Sequence, residues 1–259
     1  RHIIGKDIVK PHGVFWPTML LAAELPLYRQ LRVHGFWTRG ESKMSKSLGN
    51  VIRPLDVNER FGAEPFRYFL LREMAYGHDA MFTEDALVTR INADLANNLG
   101  NLVSRVLSMQ KRYFQGRVQP IPELTDADLA LRDAFTDAFV EVPRLTEEMQ
   151  FHRALEKLWQ AIDHANKYVV DTAPFTLAKS EEQMPRVGAI LSNLLEVLYS
   201  TASLLRWFLP ETSDRIFSLL RMVPPDGVGD TTRWGSRFPP SHEVDGPVGL
   251  FPRIEIPES

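Results

Sequence analysis

The chain has 259 residues, of which 44% are hydrophobic and 24% charged, a balance that excludes fibrous and disordered classes and allows a sizeable core in two or three structural units. A net charge of −3 excludes a uniformly basic nucleic-acid coat, the absence of cysteine excludes disulfides and thiolate metal sites, and no apolar run approaches the roughly 20 residues that cross a bilayer. The seven histidines show no H-x-x-x-H spacing, so no structural zinc is expected in this chain, and a cytoplasmic protein without membrane contact is the expectation.

Residue 1 is not methionine, and the chain opens directly on a short β-branched run, His2-Ile3-Ile4, that stops at Gly5-Lys6-Asp7, as if entering a fold already under way. A similar run, Leu31-Arg32-Val33, ends at His34-Gly35, with a helical pattern over 9–25 between them. This is a βαβ reading. Ligands of doubly wound sheets sit outside the carboxyl ends of the strands, where Gly5, Lys6, Asp7, His34 and Gly35 fall. Next comes Lys43-Met44-Ser45-Lys46-Ser47, followed by Leu48-Gly49-Asn50. Two ammonium groups three residues apart on a short Ser/Gly loop can both reach the oxygens of a departing pyrophosphate, although a solvated basic turn has the same composition. Residues 1–60 carry ten Lys and Arg against five Asp and Glu, a local excess that fits phosphate handling as well as it fits a solvated surface.

Between 51 and 83, Pro54, Gly62, Pro65 and Gly77 punctuate short apolar stretches, which suggests a small α+β connector. From Thr83 the pattern turns helical. Leu87, Ile91, Leu95, Leu99, Leu102, Val106 and Met109 recur every three or four residues and predict one buried stripe. Thr125 and Asp128 have capping-box spacing, and Pro143 is expected to kink or split the helix over 129–149. Leu155, Leu158, Ile162, Ala165 and Val169 mark a further helix ended by Pro174. Another covers 187–208, and Pro210 separates it from a short helix over 214–222. The Pro- and Gly-rich stretch 224–259 is expected to run extended over the surface.

Two side-chain pairings carry chemistry. His12 and Trp16, four apart, share a helix face and can form one wall of a pocket whose aromatic ring suits a polarizable thioether; a core Trp beside a hydrogen-bonded His is the alternative. Asn97, Asn101 and Arg105 stand opposite the leucine stripe as a polar ridge, able to pair with or stack on unpaired RNA bases, or simply a solvated face.

The string Lys43-Met44-Ser45-Lys46-Ser47 resembles the signature loop of class I aminoacyl-tRNA synthetases. Together with Gly5-Lys6-Asp7-Ile8, Phe15-Trp16-Pro17, Val33-His34-Gly35 and Asn97-Asn98-Leu99-Gly100-Asn101-Leu102-Val103-Ser104-Arg105, essentially the whole chain resembles methionyl-tRNA synthetases from the second half of the catalytic domain to the C-terminus. The loop is shared with the leucine, isoleucine, valine and cysteine enzymes, whereas the His12–Trp16 pair and the Asn-Leu-x-x-Arg segment favour methionine. The fold class this implies is α/β followed by mostly α. The C-terminal half of a Rossmann-like catalytic domain with the Lys/Ser loop covers 1–50, an α+β stem-contact connector 51–83, an anticodon-binding α-helix bundle 84–223 and an extended tail 224–259.

By that resemblance Lys46, then Lys43, stabilises pyrophosphate, and Ser45 and Ser47 donate hydroxyl hydrogen bonds. Gly5, Asp7, His34 and Lys46 contact ATP, His12 and Trp16 line the methionine pocket, and Asn101, Arg105 and Phe175 read the anticodon. Implied partners are tRNA(Met), L-methionine and ATP with Mg2+. Two positions depart from the family: Pro11 replaces an aromatic residue and is expected to start the helix late, and Phe175 replaces the tryptophan that follows Ala-Pro. The family's His-x-Gly-His motif does not occur in the sequence. The chain is therefore expected to be one piece of a methionine–tRNA ligase whose N-terminal half, covalent or a separate chain, holds the rest of the catalytic fold and any zinc. A non-catalytic tRNA-binding module derived from a synthetase is the alternative, and another class I synthetase a third.

Overall fold

The computed structural model describes residues 1–40, 42–43, 51–239 and 241–255. Its architecture is α/β followed by mostly α. Strand β1 (His2–Gly5) leads through a 3-10 turn (Lys6–Ile8) and a π-helical turn (Pro11–Phe15) into α1 (Trp16–Ala22), and β2 (Leu31–His34) returns parallel to β1. In this register Gly5 stands opposite His34. Pro11 does not delay the helix, which is helical from Lys6. A proline has no N–H to give the preceding turn, and the chain accommodates it by widening, so that the Trp16 N–H reaches back five residues to the Pro11 carbonyl.

Strands β3 (Trp37–Arg39) and β4 (Ser42–Lys43) pair antiparallel. Helices α2 (Pro54–Phe61) and α3 (Ala63–Glu73) follow, and β5 (Ala80–Met81) joins β3 in parallel. Gly35 is the point of closest approach: a Cβ there would lie 2.1 Å from the His78 carbonyl oxygen, a distance only glycine avoids.

The helical part starts where the Thr83 hydroxyl accepts the Ala86 N–H and caps α4 (Glu84–Arg90). A π-helical stretch (Ile91–Gly100) and α5 (Asn101–Phe114) continue it as one rod. Leu87, Ile91, Leu95, Leu99, Leu102 and Val106 are fully buried along it, and Met109 is partly buried at the edge. Helix α6 (Asp126–Glu147) carries the expected capping box at Thr125 and Asp128. Pro143 does not split α6, because Val142 and Leu145 on either side are buried in the core and fix the turn that the proline leaves one hydrogen bond short. Helix α7 (Phe151–Thr172) ends at Ala173 in the left-handed region, φ 41°, and Pro174 opens α8 (Pro174–Leu177).

Helix α9 (Met184–Leu205) is the hub, packed against α5, α6, α7, α8 and α10 (Pro210–Leu220). Pro210 lies in the first turn of α10, where its missing N–H costs nothing, so this helix begins earlier than the sequence suggested. The stretch Glu181–Leu205 is long and apolar enough to cross a membrane by length and composition, which a search for unbroken apolar runs misses because Ser, Asn and Glu interrupt it. Its apolar window is entirely buried within the protein. The stretch beyond 224 does more than run over the surface: Val244 and Leu250 are buried, and the Trp234 indole donates to Asn193 on α9.

Candidate functional site

At the carboxyl ends of β1 and β2 the structure brings Gly5, Asp7 and His34 together. A Cβ on Gly5 would stand 2.7 Å from Asp7 Oδ1 and 3.6 Å from the His34 ring, so glycine leaves the room that both side chains occupy. The His34 ring nitrogen Nδ1 is 2.8 Å from the Gly35 carbonyl, which fixes the imidazole beside the strand end. Lys6 is committed elsewhere. Its ammonium contacts both Asp79 oxygens at 2.6 and 2.7 Å and lies 4.6 Å from the centre of the Phe36 ring, and Asp79 also accepts the Phe36 N–H. The hydrogen bond from Lys6, reinforced by that N–H, holds the Asp79 carboxyl below its usual range.

His12 and Trp16 line one cavity of about 570 Å³ with His2, Pro11, Phe15 and Met19. His12 Nδ1 lies 2.9 Å from the Ile8 carbonyl, so in the neutral ring Nδ1 carries the proton and Nε2 is the acceptor. The Tyr28 hydroxyl donates to the His12 carbonyl at 2.8 Å, and the Tyr28 ring lies 4.5 Å from the His2 ring. Phe15 and Met19, three residues beyond His12 and Trp16 respectively, share that helix face; Phe15 belongs to the Phe15-Trp16-Pro17 segment noted in the sequence, whereas Met19 is added by the structure. His2, on the neighbouring strand, gave no local signal. Trp16, Phe15 and Met19 are 40%, 52% and 61% exposed, so this wall faces out of the protein.

Of the Lys/Ser loop, Lys43 has its backbone in β4, opposite Thr38. Ser45, Lys46 and Ser47 lie outside the described residues. Among the described residues no cluster of three or more His, Asp or Glu side chains is placed to hold a metal ion.

A second site lies on the rod. Asn97, Asn101 and Arg105 are exposed in a row, and the Asn101 amide donates to the Asn97 carbonyl at 2.9 Å. Arg105 makes no hydrogen bond or ion pair among the described residues, which leaves its guanidinium for a ligand. The neighbouring Asn98 donates to Asp163 at 2.6 Å and accepts from Asn166 at 2.7 Å. These two bonds tie the ridge to α7, whose end carries Phe175 on α8 with its ring half exposed. Sequence reading did not pick out the Asn98, Asp163 and Asn166 set, because its members are far apart in the chain.

Residues 120–258 match the family described as the anticodon binding domain of methionyl tRNA ligase. The chain belongs to the methionyl-tRNA synthetase family. Residues 1–107 match class I tRNA synthetases of the methionine group. Among methionyl-tRNA synthetase relatives, the methionine–tRNA ligase of Fusobacterium nucleatum is 38% identical over 258 residues and that of Bacillus subtilis 37% over 260, alignments that cover 98% and 99% of this chain. The solved methionyl-tRNA synthetase of Mycobacterium tuberculosis in complex with methionyl-adenylate superposes with a TM-score of 0.91 at 38% identity, over 97% of this chain and 50% of that one. Its apo form gives 0.89 at 36% identity over 99% of this chain. The chain spans about two-fifths of the length of these sequence relatives, 40% and 39%.

Proposed function

We propose that the protein to which this chain belongs is a methionine–tRNA ligase, converting ATP, L-methionine and tRNA(Met) to AMP, pyrophosphate and methionyl-tRNA. The observation that carries this reading is that a strand-end cluster of Gly5, Asp7 and His34 and an exposed Asn101–Arg105 ridge occur on one chain. A binding module alone needs only the second.

In this reading ATP enters as its magnesium complex. Asp7 accepts hydrogen bonds from the ribose hydroxyls, His34 meets the triphosphate, and Gly5 leaves room for both. The methionine side chain packs against His12 and Trp16, where sulfur gains from contact with the ring edge. The remainder of the catalytic domain, covalent or supplied by another chain, closes the pocket over the outward-facing Phe15, Trp16 and Met19. The methionine carboxylate attacks the α-phosphorus, the bond to pyrophosphate breaks, and Lys46 with Lys43 takes up the charge on the leaving group while Ser45 and Ser47 donate hydrogen bonds to it. The terminal ribose hydroxyl of the tRNA then attacks the adenylate carbonyl and AMP leaves. No covalent protein intermediate is needed; the protein supplies positioning and charge. Asn101 and Arg105 hydrogen-bond the unpaired anticodon bases, and Phe175 stacks on one of them.

Two substitutions separate the steps. Lys46→Ala should cut methionine-dependent ATP–pyrophosphate exchange sharply and leave tRNA affinity nearly intact. Arg105→Ala should raise the KM for tRNA and leave exchange alone. Collapse of tRNA affinity in the first variant, or an equal loss of exchange in the second, contradicts the assignment.

A further inference from the structure

The C-terminal stretch returns to the rod and adds a side chain to the ridge. Arg253 Nε donates to Asn97 Oδ1 at 2.7 Å, and Asn97 is the residue whose carbonyl accepts the Asn101 amide. The next residue is clamped at two points: the Ile254 N–H donates to Asn92 Oδ1 and the Asn92 amide donates to the Ile254 carbonyl, both at 2.9 Å. Upstream, Leu250 is buried and Arg215 donates to the carbonyls of Gly249 and Leu250 at 3.0 and 3.2 Å. Anchors on both sides therefore hold Arg253 in place, although it is itself exposed.

A guanidinium whose Nε is engaged by Asn97 still presents its two Nη groups as a planar fork. Neither has a partner among the described residues. Such a fork matches two oxygens of one phosphate, and Arg is better suited to this than Lys because the geometry is fixed and the charge is permanent. Asn97, which holds the fork through Nε, stands four residues, about 6 Å of helix, from Asn101 on the side away from Arg105.

We infer that Arg253 is an RNA-binding residue, contributed by the C-terminal stretch, which uses Nε to hold Asn97 in place and its Nη groups to bind a backbone phosphate of the anticodon loop. This rests on the reading of Asn101 and Arg105 as the anticodon site. It predicts a contact that adds affinity without reading a base, since phosphates fix register and carry no sequence information.

The test measures binding of a tRNA(Met) transcript to the full-length protein at several salt concentrations for Arg253→Ala, Arg253→Gln and Arg105→Ala. Gln at 253 keeps a donor for Asn97 and lacks the charge, so it separates holding from phosphate binding. Both Arg253 variants should weaken binding about tenfold and flatten the dependence of log Kd on log salt by about 0.7, the value for one lost phosphate contact on a single strand. Full affinity in Arg253→Gln with loss only in Arg253→Ala would reduce the residue to a support for Asn97 and overturn the inference, as would unchanged binding in both. Loss in Arg105→Ala beside intact Arg253 variants defeats this inference alone, whereas unchanged binding in Arg105→Ala defeats the anticodon reading beneath it.

Discussion

The carboxylate of Glu64, on α3, caps α10 by accepting the backbone N–H groups of Glu211 and Thr212 at 2.7 and 2.8 Å. The Thr212 hydroxyl donates to the same carboxylate, and both residues are buried, Glu64 8% and Thr212 3% exposed. A negative charge here satisfies donors that a helix N-terminus otherwise leaves open and complements its dipole. Arg67, one turn further along α3, donates to the carbonyls of Trp207 and Phe208 just before α10. The connector and the bundle are thus joined by polar contacts at both ends of the 207–212 segment.

Glu64→Ala should destabilise the protein by about 2 kcal/mol, the sum of a lost cap and newly unsatisfied buried N–H groups. Urea unfolding followed by circular dichroism reads this directly. A change in midpoint no larger than that of an exposed-site control such as Glu182→Ala would show that the carboxylate does not hold α10.

Asp128 is fully buried, accepts from the Tyr168 hydroxyl and forms a two-point ion pair with Arg186 at 2.6 and 2.9 Å. Burial works to raise its pKa, but the hydrogen bonds from Arg186, Tyr168 and the Thr125 N–H together hold it below the usual 3.8. A carboxyl depressed in the folded state contributes stability that is present above its unfolded pKa and is lost as pH falls through the folded value. Asp128→Asn should therefore cost about 3 kcal/mol at neutral pH by leaving Arg186 uncompensated. The difference from wild type should shrink below pH 4. A constant difference from pH 7 to pH 3 would contradict this.

Phe175 is 49% exposed and has a smaller face than the tryptophan found after Ala-Pro in the family. Base–aromatic stacking contributes about 1–3 kcal/mol per base, so Phe175→Ala should raise the Kd for tRNA(Met) about tenfold and Phe175→Trp should lower it. Equal Kd values across the three proteins would remove Phe175 from the interface.

Local signals were legible and distant ones were not. The leucine spacing from Leu87 to Val106 and the Thr125–Asp128 capping box were readable because each depends on residues within one or two turns. Pro143 misled in the other direction: local chemistry predicts a break, and the buried Val142 and Leu145 override it. At the strand ends, the meeting of the 5–7 and 34–35 segments followed from the βαβ reading, since parallel strands bring their carboxyl ends together, whereas the register that sets Gly5 opposite His34 is seen only in the structure. Glu64 with Thr212 and Arg253 with Asn97 join residues 148 and 156 positions apart. No periodicity links such pairs, and only the packed fold brings them together.

The central claim is that this chain belongs to a working methionine–tRNA ligase. Methionine-dependent ATP–pyrophosphate exchange on the full-length protein tests it most directly. Exchange that requires methionine and is not supported by leucine or isoleucine is the predicted result. The absence of exchange with any amino acid, in a sample that still binds tRNA(Met), would contradict it and leave a binding module derived from a synthetase.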